Sequence, residues 1–253
     1  APVPTCARDH FKLTAGALAA AITPRTRALI LPYPNNPTGA VMEREDLEAV
    51  AALLRGTDIA VIADEIYAEL TYGGHQHTSF AAIEGMRERT IVLSGFSKAF
   101  AMTGWRLGYA AGPRELIEVM VKIHQFTIMC APTMAQYAAL EALRIGADND
   151  YADVKRMVRA YDRRRNIMLS AFAEMGLDCF EPRGAFYTFP SIRRTGLTAQ
   201  QFAERLLAEQ KVAVVPGDAF GAAGEGHVRC SCATATDKVT EAMERIKKFM
   251  EQF

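Results

Sequence analysis

The sequence predicts an α/β protein, with a mostly parallel sheet and flanking helices followed by a smaller C-terminal α+β portion. Three observations carry this. Continuous aliphatic, β-branched runs alternate with amphipathic stretches in the early part of the chain, as strands buried on both faces of a parallel sheet require. A long helical stretch with one heavily charged side comes next. The last part then reads strand, strand, helix, strand, strand, helix.

The first strand is Ala28-Leu29-Ile30-Leu31, followed by a helix over Glu43 to Leu54. Ile59-Ala60-Val61-Ile62-Ala63 and Thr90-Ile91-Val92-Leu93 are the next two strands, and Trp105 to Ala111 reads as a further strand, antiparallel or at an edge. From Arg114 the pattern turns helical, with Met134 to Leu143 rich in Ala, Leu and Met, and Tyr151 to Met175 as the long helix. Arg163-Arg164-Arg165 reads as a solvated face of that helix, because Asp and Glu lie close by and no aromatic stacking set accompanies it. The later elements are the strand Ala185 to Phe189, the helix Ala199 to Glu209, the strand Val212 to Val215, the strand His227 to Cys232 and the helix Asp237 to Phe249. The chain thus divides into a partial large domain (1–150), a long connecting helix (151–176) and a small C-terminal domain (177–253).

Composition narrows the partners. Half of the 253 residues are hydrophobic, enough for a substantial core, and 29 Lys and Arg balance 29 Asp and Glu. That balance argues against nucleic acid or an anionic membrane surface, both of which need a basic face. No apolar run approaches the ~20 residues that span a bilayer, and the opening Ala1-Pro2-Val3-Pro4-Thr5 lacks the pattern of a signal peptide. Cys6, Cys130, Cys179, Cys230 and Cys232 are odd in number and widely scattered, which reads as reduced thiols in a cytoplasmic protein. Cys230 and Cys232 alone are half a metal site, but Val228 to Cys232 reads as a buried strand and no second pair stands at zinc spacing.

Chemistry concentrates just beyond the carboxyl ends of the strands, where α/β sheets place their ligands. Pro32-Tyr33-Pro34-Asn35-Asn36-Pro37-Thr38-Gly39 is a rigid turn with an Asn-Pro bond suited to the cis form. Ala63-Asp64-Glu65-Ile66-Tyr67 puts an acid at the end of a buried run, where it needs a cation or a donor; a helix cap is the competing reading. Ser94-Gly95-Phe96-Ser97-Lys98 is followed by Met102-Thr103-Gly104-Trp105-Arg106-Leu107-Gly108-Tyr109, a lysine with an arginine eight residues later and small residues between.

Taken in order with Arg229, these clusters resemble the class I/II aminotransferases, pyridoxal-phosphate (PLP) enzymes of fold type I. The resemblance covers essentially the whole chain, and Gly95 to Gly108 fits the family's cofactor-lysine signature throughout. It implies that Lys98 carries PLP covalently and then acts as base and acid on the substrate. It implies further that Asp64 pairs with the ring nitrogen, Asn36 and Tyr67 bind the phenolic oxygen, and Arg106 binds the phosphate, for which a guanidinium fork is suited. Many relatives carry a serine where this chain has Gly95, leaving Ser97 or Ser94 to supply the phosphate hydroxyl. Arg229, together with Asn36, is assigned to the substrate's α-carboxylate. Tyr33, Phe186 and Tyr187 are candidates to line the side-chain pocket, with core packing the competing reading for Phe186 and Tyr187, and His124 reads as a helix residue at a packing surface.

The implied activity is transfer of an amino group between an amino acid (aspartate, aromatic or alanine-like) and a 2-oxo acid, by a ping-pong mechanism in a homodimer. A PLP-dependent carbon–sulfur lyase and the PLP-sensing domain of a transcription regulator share the same cofactor residues. Against the family the chain starts well inside the large domain. The N-terminal arm, the first strand and helix, the Gly/Ser-rich phosphate turn and the aromatic residue that stacks on the pyridine ring have no counterpart here. A fragment or processed chain is therefore expected, with exposed strand edges and apolar helix faces, weak PLP binding and little or no activity on its own.

Overall fold

The aliphatic runs form the centre of the first sheet. The computed structural model describes residues 1–253. α1 (Ala15–Ala21) leads into β1 (Ala28–Pro32), α2 (Arg44–Leu54), β2 (Ala60–Asp64), β3 (Thr90–Gly95), the single-turn α3 (Phe96–Ala99) and β4 (Gly108–Ala111). The strands lie in the order β1-β2-β3-β4, the first three parallel and β4 antiparallel. α2 begins one residue later than its sequence pattern suggests, because Glu43 is its cap: the Glu43 N–H donates to Asp46 Oδ2 at 2.9 Å.

The expected Trp105–Ala111 strand is shorter than its sequence run. Thr103–Trp105 is a 3-10 turn and Arg106 sits at φ 53°, so pairing starts only at Gly108, opposite Gly95. That pair admits no side chain at Gly95, whose Cβ would lie 2.8 Å from Gly108 Cα.

The rest of the chain contains α4 (Arg114–Thr127), α5 (Thr133–Asp148), α6 (Ala152–Glu174), β5 (Tyr187–Thr188), α7 (Ala199–Gln210), β6 (Val215–Pro216), β7 (Val228–Ser231) and α8 (Thr236–Met250). The second sheet has the order β5-β7-β6 and is antiparallel. Two strands fall short of their apolar runs. Only Tyr187–Thr188 of the Ala185–Phe189 run pairs with β7, because Ala185 has φ 56° and donates its N–H to Leu70 O instead. Of Val212–Val215 only Val215 is paired, with Pro216 beside it. α7 has a capping box: Thr198 Oγ1 accepts from the Gln201 N–H, and the Thr198 N–H donates to Gln201 Oε1.

Two large apolar cores result, beside two small clusters around Tyr67 and Phe96. The first joins Leu29, Leu31, Val50, Leu54, Val61 and Phe80, and the second joins Met168, Phe172, Phe202, Leu206, Ile246 and Phe249. Each fully buried side chain of this size contributes about 1.5–3 kcal/mol relative to exposure. Cys230 and Cys232 belong to the second core, and burial pushes both thiols up to about 12. All five cysteines are free.

The reading of Arg163–Arg165 as a solvated face holds for Arg163 and fails for Arg165, which is buried. Its guanidinium meets Asp162 at 2.8 Å, Glu181 at 3.1 Å and Pro182 O at 3.1 Å, and lies over the Tyr72 ring. α6 packs there against the segment leading to β5, so the third arginine turns inward.

Both outer strands of the first sheet have an open edge, and Ile30 of β1 is 65% exposed. α4 has no buried residue; Ile123 and Phe126 stand in solvent, and so does His124, which the sequence reading placed at a packing surface. No helix is long and apolar enough to cross a membrane.

Two predictions concern stability. Phe172→Ala, which leaves a cavity in the second core, is expected to cost about 3–5 kcal/mol in urea unfolding. His227 is buried and stacks 5.0 Å from Phe189; burial first, and Arg193 second, hold its pKa below the ordinary 6.5. Because the folded value is depressed, the unfolded chain takes up the proton first. Stability is therefore full above about 6.5 and falls as pH drops below it. His227→Phe should flatten that acid-side fall in a series of thermal melts, whereas an unchanged slope would assign it to other groups, His75 among them.

Candidate active site

The parallel register brings the strand ends together. Pro32 stands beside Asp64, and Asp64 beside Leu93, so the chain leaves β1, β2 and β3 at one edge of the sheet. Asn36 follows the first exit and Tyr67 the second, and Lys98 sits on the single helical turn after the third. Asp64 Oδ1 accepts from the Ile66 N–H at 3.2 Å, which fixes the carboxylate at the strand end.

Side-chain contacts tie most of the expected residues into one chain. Lys98 Nζ lies 5.7 Å from the ring centroids of both Tyr67 and Phe186. The Tyr67 and Tyr187 hydroxyls are 3.1 Å apart. The Tyr187 ring lies 4.5 Å from Arg229 Cζ, and Arg229 donates to Asn36 Oδ1 at 2.8 Å. Burial first, and the Tyr187 hydroxyl second, push the Tyr67 phenol well above its ordinary value; Arg229 pulls it down and Asp64 pushes it up, so both charges reach it. Tyr67 is a neutral O–H donor at any physiological pH.

Ser97 and Arg106 form a separate group. Thr103 Oγ1 donates to Ser97 O at 2.9 Å, and Arg106 Nη1 donates to Thr103 O at 2.7 Å. Arg106 is exposed, with a left-handed backbone, and its side chain turns back onto the Thr103 carbonyl.

The segment 182–187 crosses this site from the second half of the chain. Gly39 O accepts from the N–H groups of Arg183 and Gly184, Tyr72 N–H donates to Arg183 O, and the Tyr72 hydroxyl donates to Ala185 O. Asn36–Pro37 is cis, as the sequence suggested, and so is Tyr33–Pro34. Tyr33 does not line the site. It is buried in the first core and its hydroxyl donates to Phe11 O at 2.8 Å.

Sequence reasoning left Tyr187 open between pocket and core, and the structure gives it both a buried ring and a hydroxyl aimed at Tyr67. It missed Phe220, whose ring lies 4.9 Å from Arg229 Cζ, and Thr103, which joins Ser97 to Arg106. Phe220 lies in an aperiodic turn, where no local pattern marks a contact.

An unpaired amine beside aromatic rings, an acid at the end of a parallel strand and a guanidinium on the small sheet define a site for an anionic, amine-reactive ligand. The chain belongs to the aminotransferase class I and II family, which residues 1–246 match. It is 52% identical over 250 residues to the Bacillus subtilis protein YugH and 48% identical over 250 residues to an aspartate aminotransferase of Pyrococcus abyssi. Each match covers 99% of this chain but 64% of the relative. The crystal structure of an aromatic aminotransferase from Pyrococcus horikoshii superposes with a TM-score of 0.95 at 48% identity, covering 99% of this chain and 66% of that one. The chain therefore spans about two thirds of the length of these proteins.

Members of this family use pyridoxal phosphate. The donor set fits that group. Lys98 Nζ makes no hydrogen bond or ion pair within the chain, leaving a free primary amine for an aldehyde. Asp64 offers a carboxylate, Tyr67 and Asn36 offer neutral donors, and Arg106 offers an exposed cation.

Gly39→Ala tests how tightly the crossing segment grips the site. Gly39 has φ 71°, and a Cβ there would lie 2.3 Å from Pro182 Cβ and 2.9 Å from Gly184 O. Strain and overlap act together, and the substitution is expected to cost about 2 kcal/mol or more in chemical denaturation. Tyr67→Phe, which removes one hydroxyl from a buried pair, should cost only about 1 kcal/mol in the same measurement.

Proposed function

We propose that the whole protein is a pyridoxal-phosphate-dependent aminotransferase that moves an amino group between an amino acid and a 2-oxo acid in a ping-pong cycle. The observation that carries this reading is the contact chain from the free amine of Lys98 through Tyr67 and Tyr187 to Arg229. Arg229 has no carboxylate partner in the chain, so a carboxylate ligand is the natural complement to its remaining N–H donors.

The residues would divide the work as follows. Lys98 attaches the cofactor and afterwards moves the proton at the substrate's α-carbon. Asp64 pairs with the pyridine nitrogen, and Arg106 with Ser97 holds the phosphate. Tyr67 would donate to the phenolic oxygen, a role consistent with a phenol that burial keeps protonated. Asn36 spends its carbonyl on Arg229, which leaves its amide N–H groups for the same oxygen. When bound, the cofactor supplies an electron-withdrawing ring that stabilises negative charge at the α-carbon.

Aspartate and aromatic amino acids are the leading substrate classes, supported by the names of the similar proteins. The named relatives lend no support to a lyase or a transcription regulator. A large domain (1–150), connecting helix (151–176) and small domain (177–253) are supported in outline by the two larger cores, with Phe189 packing into the first and Met168 and Phe172 of the helix into the second. A homodimer is supported by the open sheet edges and the exposed apolar side of α4, and a reducing cytoplasm by five free cysteines.

The test is an absorbance scan with added pyridoxal phosphate, before and after borohydride, in the full-length protein and in residues 1–253. The full-length protein should show a reducible band that Lys98→Ala abolishes; a band surviving in that variant would overturn the assignment of Lys98. Arg229→Ala should lower kcat/KM for amino acid substrates by roughly a hundredfold, as expected from losing a bidentate charged pair.

A further inference from the structure

Arg229 is held by groups from three different parts of the chain. Its guanidinium lies over the Tyr187 ring at 4.5 Å and the Phe220 ring at 4.9 Å, and it donates to Asn36 Oδ1 at 2.8 Å. β7 is the central strand of the small sheet, and each neighbour contributes one ring. β5 carries Tyr187, while Phe220 follows β6, whose Val215 pairs with Arg229. We infer that Phe220 is a positioning residue, which with Tyr187 clamps Arg229 so that its unused N–H donors are presented to the substrate carboxylate. This rests on the reading of Arg229 as the carboxylate-binding residue.

A guanidinium over aromatic faces gains from the ring quadrupoles and keeps its in-plane N–H groups available for hydrogen bonds. Arginine has many rotamers, and ordering it before the ligand arrives removes that cost from binding. The two rings are not equivalent. Tyr187 is buried and fixed through its hydroxyl to Tyr67. Phe220 is 39% exposed, on a turn whose own backbone makes it rigid. Gly217 N–H donates to His227 O at 2.9 Å, and a Cβ at Gly217 would lie 2.0 Å from Gly224 O, so the turn closes only with glycine there. Phe220 is thus the outer half of the clamp on a firm mount, and the Phe189 ring meets it edge-on at 6.5 Å.

The experiment reads Arg229 directly. Its Nε–Hε resonance, assigned by its loss in Arg229→Lys, should be displaced by ring currents, and phenylglyoxal should modify Arg229 slowly, as followed by peptide mass spectrometry. Phe220→Leu should shift the resonance toward that of free arginine and speed modification roughly fivefold, the scale of one exposed cation–π contact. Phe220→Tyr should preserve both values. No change in Phe220→Leu, or the same change in Phe220→Tyr, would overturn the clamp. Maleate supplies the second arm: it should slow modification of Arg229 in the native protein and do so less in Phe220→Leu. If the ring-dependent signals appear but maleate gives no protection at all, the carboxylate reading of Arg229 fails while the clamp stands. Protection by maleate of equal strength in both proteins would remove Phe220 from substrate positioning.

Discussion

Pro32, Asp64 and Leu93 stand side by side because β1, β2 and β3 run parallel in continuous register. The first half's share of the candidate site follows from that alignment. Parallel pairing sends each chain out of the sheet at the same edge, so three loops distant in sequence meet at one place. The turn with Asn36, the Asp64–Tyr67 segment and the α3 turn with Lys98 are these three loops. A slip of one residue in β2 would turn Asp64 to the opposite face of the sheet and take the acid away from the amine.

The second half of the chain completes the site by crossing the first. The 182–187 segment bonds to Gly39 on one side and to Leu70 and Tyr72 on the other, which is why Ala185 gives up its place in β5. Arg165 braces the same segment from α6 through Glu181 and Pro182 O. A cation this buried is costly unless paired, and its acids and its carbonyl partner account for its position. Tyr187 and Arg229 then arrive at Tyr67 and Asn36 as consequences of one backbone crossing rather than as separate features.

The same sheet that organises the site leaves apolar surface uncovered. Strand edges at β1 and β4, together with α4, present aliphatic and aromatic groups to solvent that elsewhere in the chain are buried. Exposed apolar side chains favour association, since each one covered is removed from water. Neither of the two larger cores includes a residue of the exposed helix α4.

Much of this was legible in the amino-acid sequence. Aliphatic runs located β1, β2 and β3, helical periodicity located α2 and α5 to α8, and the motifs around Asn36, Asp64 and Lys98 marked the strand exits. These are local signals, read within a few residues. Strand lengths in the small sheet were overestimated, because an apolar run does not say whether its backbone pairs within the sheet or, like Ala185, with a loop of the other half. Arg165 was misread for a related reason: its partners Glu181 and Tyr72 lie on other segments. By itself the sequence determined the fold class through its periodicity and the family through the resemblance of its short motifs, and it marked the candidate residues for the chemistry. Only the tertiary structure decided that Asn36 meets Arg229 across 193 positions, that Tyr67 meets Tyr187 across 120, and that Phe220 covers the arginine. Contacts between residues so far apart are set by how the two cores pack and cross, and no local pattern encodes that.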